Sequence, residues 1–115
     1  MIVNLTPHEI NIYVYPASGT VIVTVPSTGV ARCAESVRDT GATVGHYPVP
    51  VGVPIVETTY GDVEGLPAPV AGTRYVVSRI VRSALGAGTR PDVLCPGKGV
   101  RDEAGRIIGC EGLSR

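Results

Sequence analysis

Residues 2–15 read IVNLTPHEINIYVY. The second half alternates: Ile10, Ile12 and Val14 share one parity, while Glu9, Asn11, Tyr13 and Tyr15 share the other. That is the period of a strand with one buried face. Carried backwards, the same parity takes in His8, Thr6 and Asn4, so an imidazole, a hydroxyl and an amide are expected on the core side. Pro7 interrupts the extrapolation because it has no N–H for a ladder. Polar groups turned toward a core need partners. Two arrangements supply them: the backbone of a neighbouring loop, with Thr-Pro-His as a turn, or a ligand held over an apolar floor at the open end of the sheet.

The residues that follow extend the β reading. PASG (16–19) supplies a turn and TVIVTV (20–25) returns as a second strand, giving an antiparallel hairpin with a loop of about four residues. GVARCAESV (29–37) reads as a weak third strand, and residues 38–54 as a Gly- and Pro-rich connection holding a short extended piece. VPIVETTYG (53–61) is a firmer strand, and DVEGLPAPVAGT (62–73) a long loop of the kind that more often carries function than not. In TRYVVSRIVRSALGAG (73–88) the period changes. Tyr75 to Val77 is extended, after which Ile80, Val81, Ala84 and Leu85 form one helical stripe. Ser78 stands at the N-cap and Gly86 at C′, so a helix is expected over 79–85. The tail from Asp92 reads as short strands turned by DEAG (102–105), which brings Val100 and Arg101 beside Arg106 and Ile107.

Composition agrees. The 115 residues include no Phe and no Trp, so the core must be aliphatic, and the abundance of valine suits pleated sheet. Fifteen glycines and ten prolines break the chain too often for long helices. The expected fold is one mostly β domain over 1–115: a small, twisted, partly closed antiparallel or mixed sheet or barrel, with one short helix covering an open edge or end.

The formal net charge is zero with both signs interspersed, so no field steers a polyanion, and five scattered tyrosines make no stacking platform. Nucleic acid is not an expected partner. MIVNLTPHEI lacks the features of a secretory signal, and YPVPVGVPIV (47–56) is too short and too rich in proline to span a bilayer. With Cys33, Cys95 and Cys110 odd in number and widely spaced, a reducing, cytoplasmic setting is expected, without a membrane partner.

Candidate functional residues fall into four groups. The first is Asn4, Thr6 and His8. The second is Thr58 and Tyr60, which share a face with Val56 and place two hydroxyls just before the long loop. The third is the helix start, where Ser78, Arg79 and free N–H groups suit a phosphate or carboxylate. The fourth is Arg101 and Asp102, which with Arg106 read most simply as an exposed hairpin, although an arginine can clamp a phosphate bidentately. Arg90 and Asp92 read in the same way.

Catalytic templates fit poorly. GTRPDVLCPGKGV (88–100) lacks phosphate-loop spacing, no GxGxxG or GxSxG occurs, and two histidines with three unpaired cysteines do not make a zinc pattern. No catalytic residue, metal or cofactor is therefore assigned. One enzyme reading stays open: His8 as general base, with Thr6 or Tyr60 orienting a water, in a metal-independent hydrolase.

Taken together, NLTPH (4–8), VPSTGVAR (25–32), VPIVETTYGDVEGLPAP (53–69), YVVS (75–78), RPDV (90–93) and VRDEAGRIIGCEG (100–112) resemble a family of short proteins encoded in bacteriophages, prophages and bacterial genomes. The resemblance covers most of the chain in order, leaving out about residues 35–51, and the sequence departs from it there and in SRIVRSAL (78–85). It implies a setting, a cytoplasmic accessory protein of a phage or mobile element, and no reaction. In that setting the expected function is binding of a small polar, nucleotide-derived ligand, such as a host defence signal to be sequestered. The alternatives are the hydrolase, or contact with a protein partner or a second copy through Val-rich sheet edges.

Overall fold

The computed structural model describes residues 1–48, 50–86 and 88–115. Eight strands and one helix follow in the order β1 (Ile2–Asn4), β2 (Ile10–Val14), β3 (Val21–Val25), β4 (Arg32–Val44), β5 (Val53–Glu64), β6 (Arg74–Val76), α1 (Arg79–Leu85), β7 (Val93–Arg101) and β8 (Ile107–Ser114). Six strands form a strongly curled mixed sheet, a half-barrel, in the order β1-β6-β7-β8-β2-β3. The β-rich, partly closed fold expected from composition is the one observed.

The opening run is two strands, not one. β1 lies at one edge of the sheet, parallel to β6, whereas β2 pairs with β3 and β8 four positions away. The break falls at residues 6–8, around Pro7. There the Asn4 side chain accepts the Thr6 N–H at 2.9 Å and turns the chain out of the ladder. The parity carried back from Ile10 therefore holds for Asn4 and Thr6, which are buried, and fails for His8, which is exposed.

β6 is buried on both faces, as expected of a central strand in a parallel ladder. Its successive residues feed two cores. Tyr75 and, just beyond the strand, Val77 join Leu5, Ala31, Val81 and Val93 beneath α1. Val76 joins Ile10, Ile12 and Cys110 inside the curl of the sheet. α1 connects parallel neighbours β6 and β7 and is bounded as its sequence predicts: Ser78 accepts the Val81 N–H, and Gly86 leaves the helix at φ 77°. Its apolar stripe divides. Val81 is buried and Leu85 packs on the first core, while Ile80 remains half exposed.

The largest departure from expectation is the middle of the chain. The weak third strand continues through residues 38–44 of the expected Gly/Pro connection as one 13-residue strand, β4, which pairs antiparallel with the 12-residue β5, the strand expected at 53–61. Two register irregularities, after Cys33 and after Asp39, absorb residues such as Gly41 that break the sequence pattern. This ribbon is a separate two-stranded arm, rooted where Cys33 and Val63 pack against the first core. Gly65 closes the root at φ 80°, where a side chain would strike the Val30 carbonyl. The arm makes the molecule elongated, with extents of 58 × 39 × 23 Å.

After the arm, the chain is fastened by an ion pair. Arg90 binds both Asp92 oxygens, at 2.9 and 2.8 Å, and the Pro67 carbonyl at 2.8 Å. The hydrogen bonds from Arg90 hold the Asp92 carboxyl below the usual carboxylate range, against the opposing effect of burial. Its contribution is therefore present above the unfolded value of about 3.9 and lost as pH falls through the lower folded value. Asp92→Asn should cost roughly 2 kcal/mol at neutral pH, because Arg90 loses its counter-charge. In urea titrations across pH, the gap between wild type and variant should hold above about pH 5 and close as the pH drops below about 4.

Candidate functional site

The Asn4 amide is completely buried, and the chain itself uses its hydrogen-bonding capacity. Nδ2 donates to the His8 carbonyl at 2.8 Å and the Val25 carbonyl at 3.0 Å. Oδ1 accepts from the Thr6 N–H and, at 2.6 Å, from the Thr6 hydroxyl, which also contacts the His8 carbonyl. Of the two arrangements open to NLTPH, the geometry is that of the turn satisfied by backbone. Asn4 belongs to β1 and Val25 to β3, the two edges of the sheet, so this amide ties the open half-barrel together. Backbone contacts reinforce the closure: the Thr28 N–H donates to the Asn4 carbonyl at 3.0 Å, and the Ala31 N–H to that of Leu5 at 2.9 Å.

His8 lines a cleft of about 320 Å³ with Asn11, Pro96, Ile107, Gly109 and Cys110. Burial pushes the Cys110 thiol up, with a backbone hydrogen bond from Gly97 opposing it, so the cysteine that shares this cleft with His8 is a poor nucleophile. Arg101 and Asp102 sit at the β7–β8 turn and bind within it. Arg101 Nη1 donates to the Gly105 carbonyl at 2.6 Å, and Asp102 accepts from the Arg106 N–H at 2.9 Å and its Nε at 3.2 Å.

The remaining four candidates converge. Thr58 and Tyr60 on β5 and Arg79 on α1 line one groove of about 580 Å³, together with Ile80, Ser83 and Ala84. Ser78 and Tyr60 line an adjoining hollow of about 220 Å³ with Glu35, Cys33 and Ile80. Ser78 and Arg79 also border a third hollow, which reaches Thr6. The groove is within the size range of small-molecule sites, and its make-up is typical of them: aliphatic walls, several hydroxyls and one guanidinium. Arg79 is exposed, and its one hydrogen bond among the described residues runs from Nη2 to the Pro96 carbonyl at 3.3 Å. At the helix start, the Ser78 cap already takes the Val81 N–H at 3.3 Å.

Ile80, Ala84 and Ser83 were not foreseen as site residues. In sequence, Ile80 and Ala84 belong to the same apolar stripe as Val81 and Leu85, and only the position of the arm turns them into a groove wall. Among the described residues, no group of three or more His, Cys, Asp or Glu side chains is placed to hold a metal ion. Comparison with known proteins returned no matching family, no matching curated protein and no matching solved structure.

The two sets of candidates should separate by mutation. Asn4→Ala takes the Asn4 partner from the Val25 carbonyl and the Thr6 N–H, while the Thr6 hydroxyl and the His8 carbonyl keep each other, a loss of about 3 kcal/mol. Arg101→Ala, at an exposed turn, should stay within about 0.5 kcal/mol of wild type. Urea midpoints at neutral pH measure both.

Proposed function

We propose that this protein binds a small polar ligand of the nucleotide class in the groove between β5 and α1. The observation that carries the reading is the meeting of Thr58, Tyr60 and Arg79, some twenty residues apart in sequence, on one groove with Ile80 and Ala84. Each has a task suited to such a ligand. The Tyr60 ring offers a face for a base. The Arg79 guanidinium, with most of its donors uncommitted, matches a phosphate. The hydroxyls of Thr58 and Ser83 read polar edges. The setting is the one implied by the resemblance, an accessory protein of a phage or mobile element in the host cytoplasm, where holding a signalling nucleotide removes it from its receptor. No helix of the described chain is long and apolar enough to cross a membrane.

Binding is favoured over hydrolysis by the placement of the only groups offered as a base and water-holder. His8 lines a different cleft from Tyr60, and the Thr6 hydroxyl is committed to Asn4 and His8.

Thermal unfolding against a panel of linear and cyclic mono- and dinucleotides tests the proposal. A ligand present at one hundred times its Kd stabilises by about 2.7 kcal/mol, which raises Tm by roughly 10 °C in a domain of this size. Arg79→Ala and Tyr60→Ala should each weaken binding at least about tenfold, as loss of a charge-assisted contact or a stacked base does, while His8→Ala keeps the full shift. The nucleotide should be recovered chemically unchanged. A panel without any shift, or a shift that survives both groove variants, overturns the proposal, and product formation replaces it with turnover.

A further inference from the structure

Beyond its root and the stretch that faces α1, nothing among the described residues covers the β4–β5 arm. A free two-stranded ribbon is marginal in water, yet this one is 13 and 12 residues long and carries Val37 at 60%, Val56 at 48% and Tyr60 at 46% exposure. Ile80 on the facing helix is 50% exposed. The uncovered surface has a definite size. A folded monomer of 11.9 kDa exposes about 5,950 Å², whereas this chain exposes 7867 Å². The excess, about 1,900 Å², is what the protruding arm adds on both of its faces and at its tip, and one face of it leaves room for the roughly 800 Å² per partner of a standard interface.

Charge identifies the partner. Residues 32–64 hold two arginines against five carboxylates, net −3, so the rest of the neutral chain is net +3. Register places Glu35, Val37 and Asp39 opposite Tyr60, Thr58 and Val56, hence all on one face of the arm. Tyr60 and Glu35 on that face border the hollow against Ile80. Across the groove stands Arg79; Arg82 turns to a separate concavity of about 550 Å³ that it lines with Arg115, and its Nη1 donates to the Gly86 carbonyl at 3.1 Å. The surface thus has acidic side chains on the arm, the Arg79 guanidinium on the helix and apolar side chains between them. Rotation by 180° about an axis through the apolar strip lays acid on base and base on acid. This is the self-complementarity that an isologous dimer requires.

We propose that a second copy of this chain closes over the β5–α1 groove about such a twofold axis, packing Val37, Val56, Tyr60 and Ile80 of both copies together and pairing Glu35 and Asp39 of each with Arg79 of the other. The Arg38–Glu57 ion pair, on the opposite face of the arm, stays within its own chain. A ligand in the groove is then roofed by the second copy.

Sedimentation without nucleotide tests this independently of ligand binding. Wild type should run at twice 11.9 kDa at micromolar concentration. The variants Glu35→Arg/Asp39→Arg and Arg79→Glu should each raise the dimer Kd at least about a hundredfold, since like charges face each other across the interface. Mixed in equal amounts, the two should recover a dimer, because the basic arm of one then meets the acidic helix of the other; this recovery also shows that both variants are folded. A wild-type monomer, or a mixture that stays monomeric, overturns the proposal and leaves the arm to a different protein partner.

Discussion

One buried amide sets the geometry of this molecule. A curled sheet with β1 at one edge and β3 at the other leaves two rows of unpaired backbone groups, and closing it fully would require strands long enough to pair along both. β1 has three residues and cannot do so. Asn4 solves the problem at one end: its carboxamide presents two donors and an acceptor from a single point, reaching the carbonyls of Val25 and His8 while holding the Thr6 N–H and hydroxyl. A side chain with fewer polar positions would leave buried groups without partners, at a cost comparable to much of the stability of a domain this small. The half-barrel, and with it the placement of Leu5 and Ala31 under α1, follows from that closure.

From the closure the rest is positioned in sequence. The Ala31 N–H on the Leu5 carbonyl fixes where β4 leaves the body, Cys33 and Val63 anchor the arm in the core, and the turn at Gly65 brings the chain back beside Val30. The arm therefore departs close to α1, and its first turns of ribbon stand over the helix. Thr58 and Tyr60 face Arg79 because the root is fixed, not because the residues of the groove hold one another; no hydrogen bond among the described residues joins these three side chains to one another. Among the described residues, only the Arg79 donor on the Pro96 carbonyl is committed.

What could be read in the sequence and what could not divide along the range of the interactions responsible. Ile10, Ile12 and Val14 announce a half-buried strand by local period, and Ser78 and Gly86 bound a helix by local capping, so both are legible. The sheet order is not, since nothing in NLTPH says that the residues before Pro7 pair with β6 and those after it with β8. Both strands of the arm are legible in part, at 29–37 and 53–61; the far half of β4 and the pairing are not, because Gly41 interrupts the alternation and no core lies beside that stretch to enforce a pattern. In the candidate groups, polar residue type was legible and availability was not. Asn4 and Thr6 have the chemistry of a binding site and spend it on closure, whereas Thr58, Tyr60 and Arg79 look like ordinary strand and helix residues and keep theirs.

This division has a physical basis that bears on how the groove is used. A polar side chain buried in a fold this thin must be satisfied internally, so the interior cannot supply recognition; the groups left for a ligand or a second copy are those at the junction of two elements that the core does not tie together. The arm and α1 form such a junction. An open groove buries less of a small ligand than a useful site needs, and an uncovered ribbon buries too little of itself to be stable. The proposed second copy across the groove would remove both deficits with the same surface, its valines excluding water and its carboxylates and Arg79 fixing the register. Under that proposal the apolar exposure of the arm is the part of the core that a second copy completes.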